Sequence, residues 1–84
     1  MLRTGVLGVL ERCRGLFPEA CRLELIDEAN AGEWGIALEG ACSNLDEYDA
    51  IVGDELYAEI ETLATAMTLD DDYWKRLKRT PYRG

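Results

Sequence analysis

Leu56, Ile60, Leu63 and Met67 stand at offsets 0, 4, 7 and 11 in an otherwise polar segment, with Tyr57 and Ala64 beside them. That spacing brings apolar side chains back to one side of a helix and to no common side of a strand, so the segment reads as an amphipathic helix. Gly53-Asp54-Glu55 opens it with acids where the helix dipole is positive. The same periodicity recurs upstream. Leu2, Val6, Val9, Leu10, Cys13 and Leu16 or Phe17 trace a helix over 2–16, weakened by Gly5, Gly8 and Gly15, each costing ~1 kcal/mol relative to Ala in a helix interior. Pro18-Glu19 suits the first turn of a second helix. Leu23 and Ile26, with Leu25 and Ala29 as further candidates, face inward, and Asn30-Ala31-Gly32 is a stop. A third helix runs from about Glu33 to Leu45, with Trp34, Leu38, Ala41, Cys42 and Leu45 on one stripe. Its Gly35 and Gly40 point to close approach of a neighbouring helix.

Residues 46–53 are expected to form a connecting loop. A last short helix is expected from Asp71 to Arg79, capped by Thr68 or Asp70, with Tyr73, Trp74 and Leu77 facing in and Lys75 to Arg79 at its negative end. No β-branched run alternates with polar residues, so no sheet is expected. The fold class is all-α: a single domain over residues 1–84, built as a compact bundle of about five short helices. Leu38, Leu56, Ile60 and Leu63 are its expected core, with Trp34 and Trp74 as anchors. Trp74 should fasten the last helix, and residues 80–84 should be dispensable.

Composition narrows the setting. An apolar fraction of 48% with 31% charged is globular rather than disordered. The N-terminal segment meets Glu11 too soon for a signal peptide, and no run approaches a membrane span, which makes the expected location cytosolic. Cys13, Cys21 and Cys42 form no C-x-x-C pair and read as small buried hydrophobes in a reducing compartment. Histidine is absent, and with it the commonest general base and metal ligand.

Charge is segregated along the chain. Fifteen acidic residues and no Lys or Arg lie between Leu23 and Trp74, while the ends hold all nine basic residues with only Glu11 and Glu19. An anionic body repels phosphates, so nucleic acid is a poor partner and a basic protein surface a good one. Catalysis finds little support. Ser43 lies in no G-x-S-x-G context, carboxylates on a small helical bundle offer little concavity for a sugar, and Asp70-Asp71-Asp72 lacks the spacing of a calcium loop. The expectation is a non-enzymatic, protein-binding module without metal or cofactor. Tyr48, between Glu47 and Asp49, is either an exposed anchor for a partner or a loop aromatic folded onto the core.

The stretch Ala31 to Leu77, AGEWGIALEGACSNLDEYDAIVGDELYAEIETLATAMTLDDDYWKRL, resembles the MafI-type immunity proteins of bacterial polymorphic toxin and contact-dependent inhibition systems. The likeness rests on Gly32-Glu33-Trp34-Gly35 with Ala37 and Glu39, on Asn44-Leu45 with Glu47-Tyr48-Asp49, on Glu55-Leu56-Tyr57, and on Leu69-Asp70 with Tyr73-Trp74. Trp34 stands where Tyr is more usual and Gly53 where Ser is expected; residues 1–30 carry no specific likeness. The resemblance implies a cytosolic helical protein that binds and blocks a cognate toxin domain, often a nuclease such as an EndoU-type ribonuclease. On that reading Glu39, Asp46, Glu47 and Asp49 are the contacting acids and Tyr48 the aromatic anchor. The alternative is a helical adaptor or regulatory subunit for a basic cellular protein.

Overall fold

Four α-helices carry the chain through residues 2–79, the part that the computed structural model describes: α1 (Leu2–Arg12), α2 (Glu19–Asn30), α3 (Trp34–Glu47) and α4 (Asp54–Ala66). The all-α bundle anticipated from periodicity is the fold, with four helices rather than five. The Cα radius of gyration is 11.7 Å, matching the value of about 12 Å expected for a compact chain of this length.

The segment expected to be a fifth helix takes another course. Asp70 accepts a hydrogen bond from Asp72 N at 2.9 Å and caps a single 3-10 turn, Asp71–Tyr73. Trp74 then departs from helical backbone at φ −123° and buries its indole edge-to-face against Tyr57, ring centroids 6.0 Å apart. The chain extends beyond it as β2 (Lys78–Arg79), which pairs in parallel with β1 (Ile51–Val52), Ile51 opposite Lys78. This two-residue contact is the only strand pairing among the described residues. The expected dispensability of residues 80–84 lies outside the described residues.

Three helices end in the same way. After α2, Glu33 N bonds Glu28 O and Gly32 N bonds Ala29 O; after α3, Ala50 N bonds Leu45 O and Asp49 N bonds Asp46 O; after α4, Leu69 N bonds Ala64 O and Thr68 N bonds Thr65 O. Each is a Schellman motif, and the residue at its turning point is left-handed: Gly32 at φ 91°, Asp49 at 54° and Thr68 at 57°. The first helix is shorter than its apolar stripe suggests, because Gly15 at φ 84° turns the chain toward α2 after Arg12.

Val6, Val9 and Leu10 of α1, Leu25 and Ala29 of α2, Ala37 to Leu45 of α3 on one stripe, and Leu56, Tyr57, Ile60 and Ala64 of α4 form one core with Val52, Trp74 and Leu77. Gly40 meets Leu25 so closely that a side chain there would collide with it, the close approach that its place in α3 implies. Two core assignments are corrected. Leu63 is only partly buried, because it leans over Gly5 of α1 rather than into the centre. Leu23 is 50% exposed, because α2 turns Leu25 and Arg22 inward instead. Trp34 is likewise only partly buried, whereas Trp74 is in the core. Arg22, which sequence reasoning passed over, is 2% exposed. It donates to Glu19 and to the Leu10 carbonyl, tying the end of α1 to the start of α2.

Candidate protein-binding face

Helix α3 buries Ala37, Leu38, Ala41, Cys42 and Leu45. At ~100° per residue, that stripe leaves Ile36, Ser43 and Glu47 on the opposite side, flanked by Glu39 and Asp46. Exposure follows this geometry: Ile36, Ser43, Asp46 and Glu47 are exposed and Glu39 is half-buried. Asp46 and Glu47 belong to the last helical turn and not to the expected loop, a correction that places them on α3. Tyr48 caps the helix at 48% exposure, so it is not folded onto the core. Ile36, at 51% exposure, supplies an apolar side chain among these acids. It was overlooked as a site residue, although its place three residues before Glu39 and seven before Ser43 puts it on their side of a helical wheel.

Asp49 stands apart from the other four. Its backbone is the left-handed pivot of the α3 cap, and its Oδ1 accepts from Lys78 Nζ at 2.6 Å. That hydrogen bond, reinforced by the lysine charge, holds the Asp49 carboxyl below the ordinary carboxylate range. Lys78 is raised in turn, by the hydrogen bond and charge of Asp49 with a further contribution from Asp46. Other residues of the same stretch also work on the fold: Asn44 donates to Gly40 O at 2.9 Å, Leu45 is buried, and Asp70 caps the 3-10 turn.

Cations from the chain ends offset acids elsewhere. Arg12 crosses to Glu55 at 3.2 Å and Glu59 at 3.1 Å on α4; Arg14 pairs with Glu11 at 3.0 Å; Arg22 pairs with Glu19 at 2.6 Å; Lys75 pairs with Asp71 at 3.0 Å. Among the described residues, no Lys or Arg forms a salt bridge with Glu39, Asp46 or Glu47. The outer side of α3 is thus acidic, partly apolar and, among the described residues, without a salt-bridge partner, which suits it chemically to a surface carrying Lys or Arg.

A groove of about 560 Å³ runs between α1 and α4, lined by Gly5, Gly8, Ala58, Thr62 and Leu63, with Arg12 and its glutamates on the wall. None of the site residues expected from sequence lines it. Among the described residues, no group of three or more His, Cys, Asp or Glu is arranged to hold a metal ion, and no helix is long and apolar enough to cross a membrane. Comparison with family models, curated proteins and solved structures finds no match to this chain.

Proposed function

We propose that this chain is a non-enzymatic binding protein that docks the outer side of α3 onto a basic surface of a partner protein. In the setting its resemblance to MafI-type immunity proteins implies, the partner is a cognate toxin domain, such as a nuclease, which the complex neutralises. The observation that carries the reading is the run of Glu39, Asp46 and Glu47, none of them in a salt bridge among the described residues, beside exposed Ile36 and Tyr48. A nuclease must present positive charge to phosphates, and an acidic face is complementary to that groove. Asp46 and Glu47 supply attraction, and Ile36 and Tyr48 supply contact area that excludes water around it.

The test is association with the protein encoded immediately upstream. The variant Glu39→Gln, Asp46→Asn, Glu47→Gln should keep its helical circular dichroism and bind more slowly, with a shallower salt dependence of the association rate. Ile36→Ala and Tyr48→Ala should speed dissociation. Parent-like binding by the triple variant, with an unchanged salt slope, would rule out this face. An upstream gene without a toxin domain would favour the adaptor reading of the same acidic face.

A further inference from the structure

The Lys78 side chain reaches back from β2 to the end of α3 and places an ammonium on Asp49 at 2.6 Å, with Asp46 within electrostatic reach. Both partners are open to water, at 59% for Lys78 and 75% for Asp49. The contact is formed from residues 29 positions apart, and it sits beside Glu47 and Tyr48. Besides this contact of its ammonium, Lys78 is held through its backbone, opposite Ile51 in the strand pair. Its four-carbon stem can therefore swing away while the pairing of β1 with β2 remains. An exposed ion pair of this kind is weak, so a competing cation can replace it at small cost.

We propose that Lys78 is an internal occupant of the seat that a lysine or arginine of the partner takes, and that docking displaces it from Asp49. This inference rests on the reading of α3 as a docking face and adds a regulator to it. While Lys78 sits on Asp49, one acid of the turn is neutralised and weakly basic surfaces gain little from it. A partner that brings its own cation to Asp49, with Asp46 alongside, recovers that acid and discriminates itself from nonspecific basic proteins.

Tetralysine peptide at low salt is a sufficient probe, read by amide chemical shifts of the full chain. Lys78→Met should bind it about two- to fivefold more tightly than the parent, the factor expected from removing one exposed competitor. Arg76→Met makes the same change in net charge on an exposed residue for which no salt bridge is formed among the described residues, and controls for long-range attraction. It should gain less. The advantage of Lys78→Met should vanish in an Asp49→Asn background, where the left-handed turn is retained because Asn tolerates it. Shifts along Ile36 to Glu47 with equal affinities for Lys78→Met and Arg76→Met would overturn the displacement while leaving the docking face standing. An absence of shifts on α3 in the parent and every variant would overturn both.

Discussion

Arg22 Nη2 donates to Glu19 Oε2 at 2.6 Å, one turn back on α2, so a buried guanidinium is answered by a carboxylate that is half in water. The two residues face different alternatives when the pair is broken. Glu19 can be rehydrated where it stands. Arg22 would keep its Leu10 carbonyl contact at 3.2 Å and the more distant Glu11 at 3.7 Å, with its remaining donors enclosed. Glu19→Ala should therefore lower the thermal midpoint more than Arg22→Met, which replaces the charge by an apolar chain of similar length.

The same pair makes stability depend on acid. The hydrogen bond from Arg22 holds the Glu19 carboxyl below its ordinary 4.5 when the chain is folded. A depressed folded value means stability that is fully present above 4.5 and lost as pH falls through the folded value. Urea midpoints of the parent should decline more steeply below that pH than those of Glu19→Gln. Parallel declines would mean that the pair does not link folding to protonation.

Ile60 and Leu63 separate the core from its edge. Ile60 is fully buried and Leu63 is not. Ile60→Ala should cost ~2–5 kcal/mol, enough to leave a small domain largely unfolded. Leu63→Ala should cost less. A methyl group added at Gly5 would lie 2.7 Å from Leu63 Cδ2. Gly5→Ala should thus be more favourable in the Leu63→Ala background than in the parent, a coupling that a double-mutant cycle of denaturant midpoints measures.

This division explains what the sequence could disclose. Helix spacing along α3 and α4 identified Leu38, Leu45, Leu56 and Ile60 correctly, because each stripe has one dominant apolar side. Helix α2 has no such side: its Leu23 and Leu25 are two residues apart and point differently, and a buried Arg22 takes an inward position. Nothing local marks Arg22, since Glu19 looks like an ordinary first-turn acid. The last segment was mistaken for a helix because Tyr73, Trp74 and Leu77 have helical spacing, whereas its course is set by contacts with Tyr57 and Ile51 far back in the chain. Four of the five expected contact residues lie along the outer side and end of α3. The partner of the fifth, Asp49, is Lys78, a pairing beyond the reach of local pattern.

The thiols provide a second measure of the core. Burial pushes Cys13 and Cys42 up to about 12, whereas Cys21 is only partly buried. At pH 8 a thiol near 12 is thiolate in about one molecule in ten thousand. In native protein, an aromatic disulfide reagent should modify Cys21 first and leave Cys13 and Cys42 until the chain unfolds. Equally rapid reaction of Cys13 and Cys42 would show that the core does not enclose them.

Trp74 anchors the segment that carries the 3-10 turn and β2. It is 6% exposed and meets Tyr57 at an interplanar angle of 68°. Trp74→Ala should cost ~3–5 kcal/mol, and in a Trp34→Phe background the remaining indole should emit at the short wavelengths of a buried ring. Emission like that of free tryptophan would place the 3-10 turn off the core.

The three helix ends allow a sharper prediction, since one hydrogen-bond pattern is built on three different residues. Gly32 meets no obstruction to a side chain, so the cost of Gly32→Ala comes from its φ of 91° alone and should be ~1–2 kcal/mol. Thr68 holds a branched side chain at φ 57°, a conformation such residues rarely adopt. Thr68→Asn should accordingly raise stability by up to ~1 kcal/mol, because Asn enters the left-handed region more readily. Asp49→Asn should be close to neutral in stability, as both residues tolerate that backbone and the Lys78 pair it removes is exposed. It should also leave the end of α3 in place, keeping Glu47 and Tyr48 where the partner would meet them. Denaturant midpoints for the three variants test the order, and a Thr68→Asn variant less stable than its parent would show that the threonine side chain contributes more than its backbone strain costs.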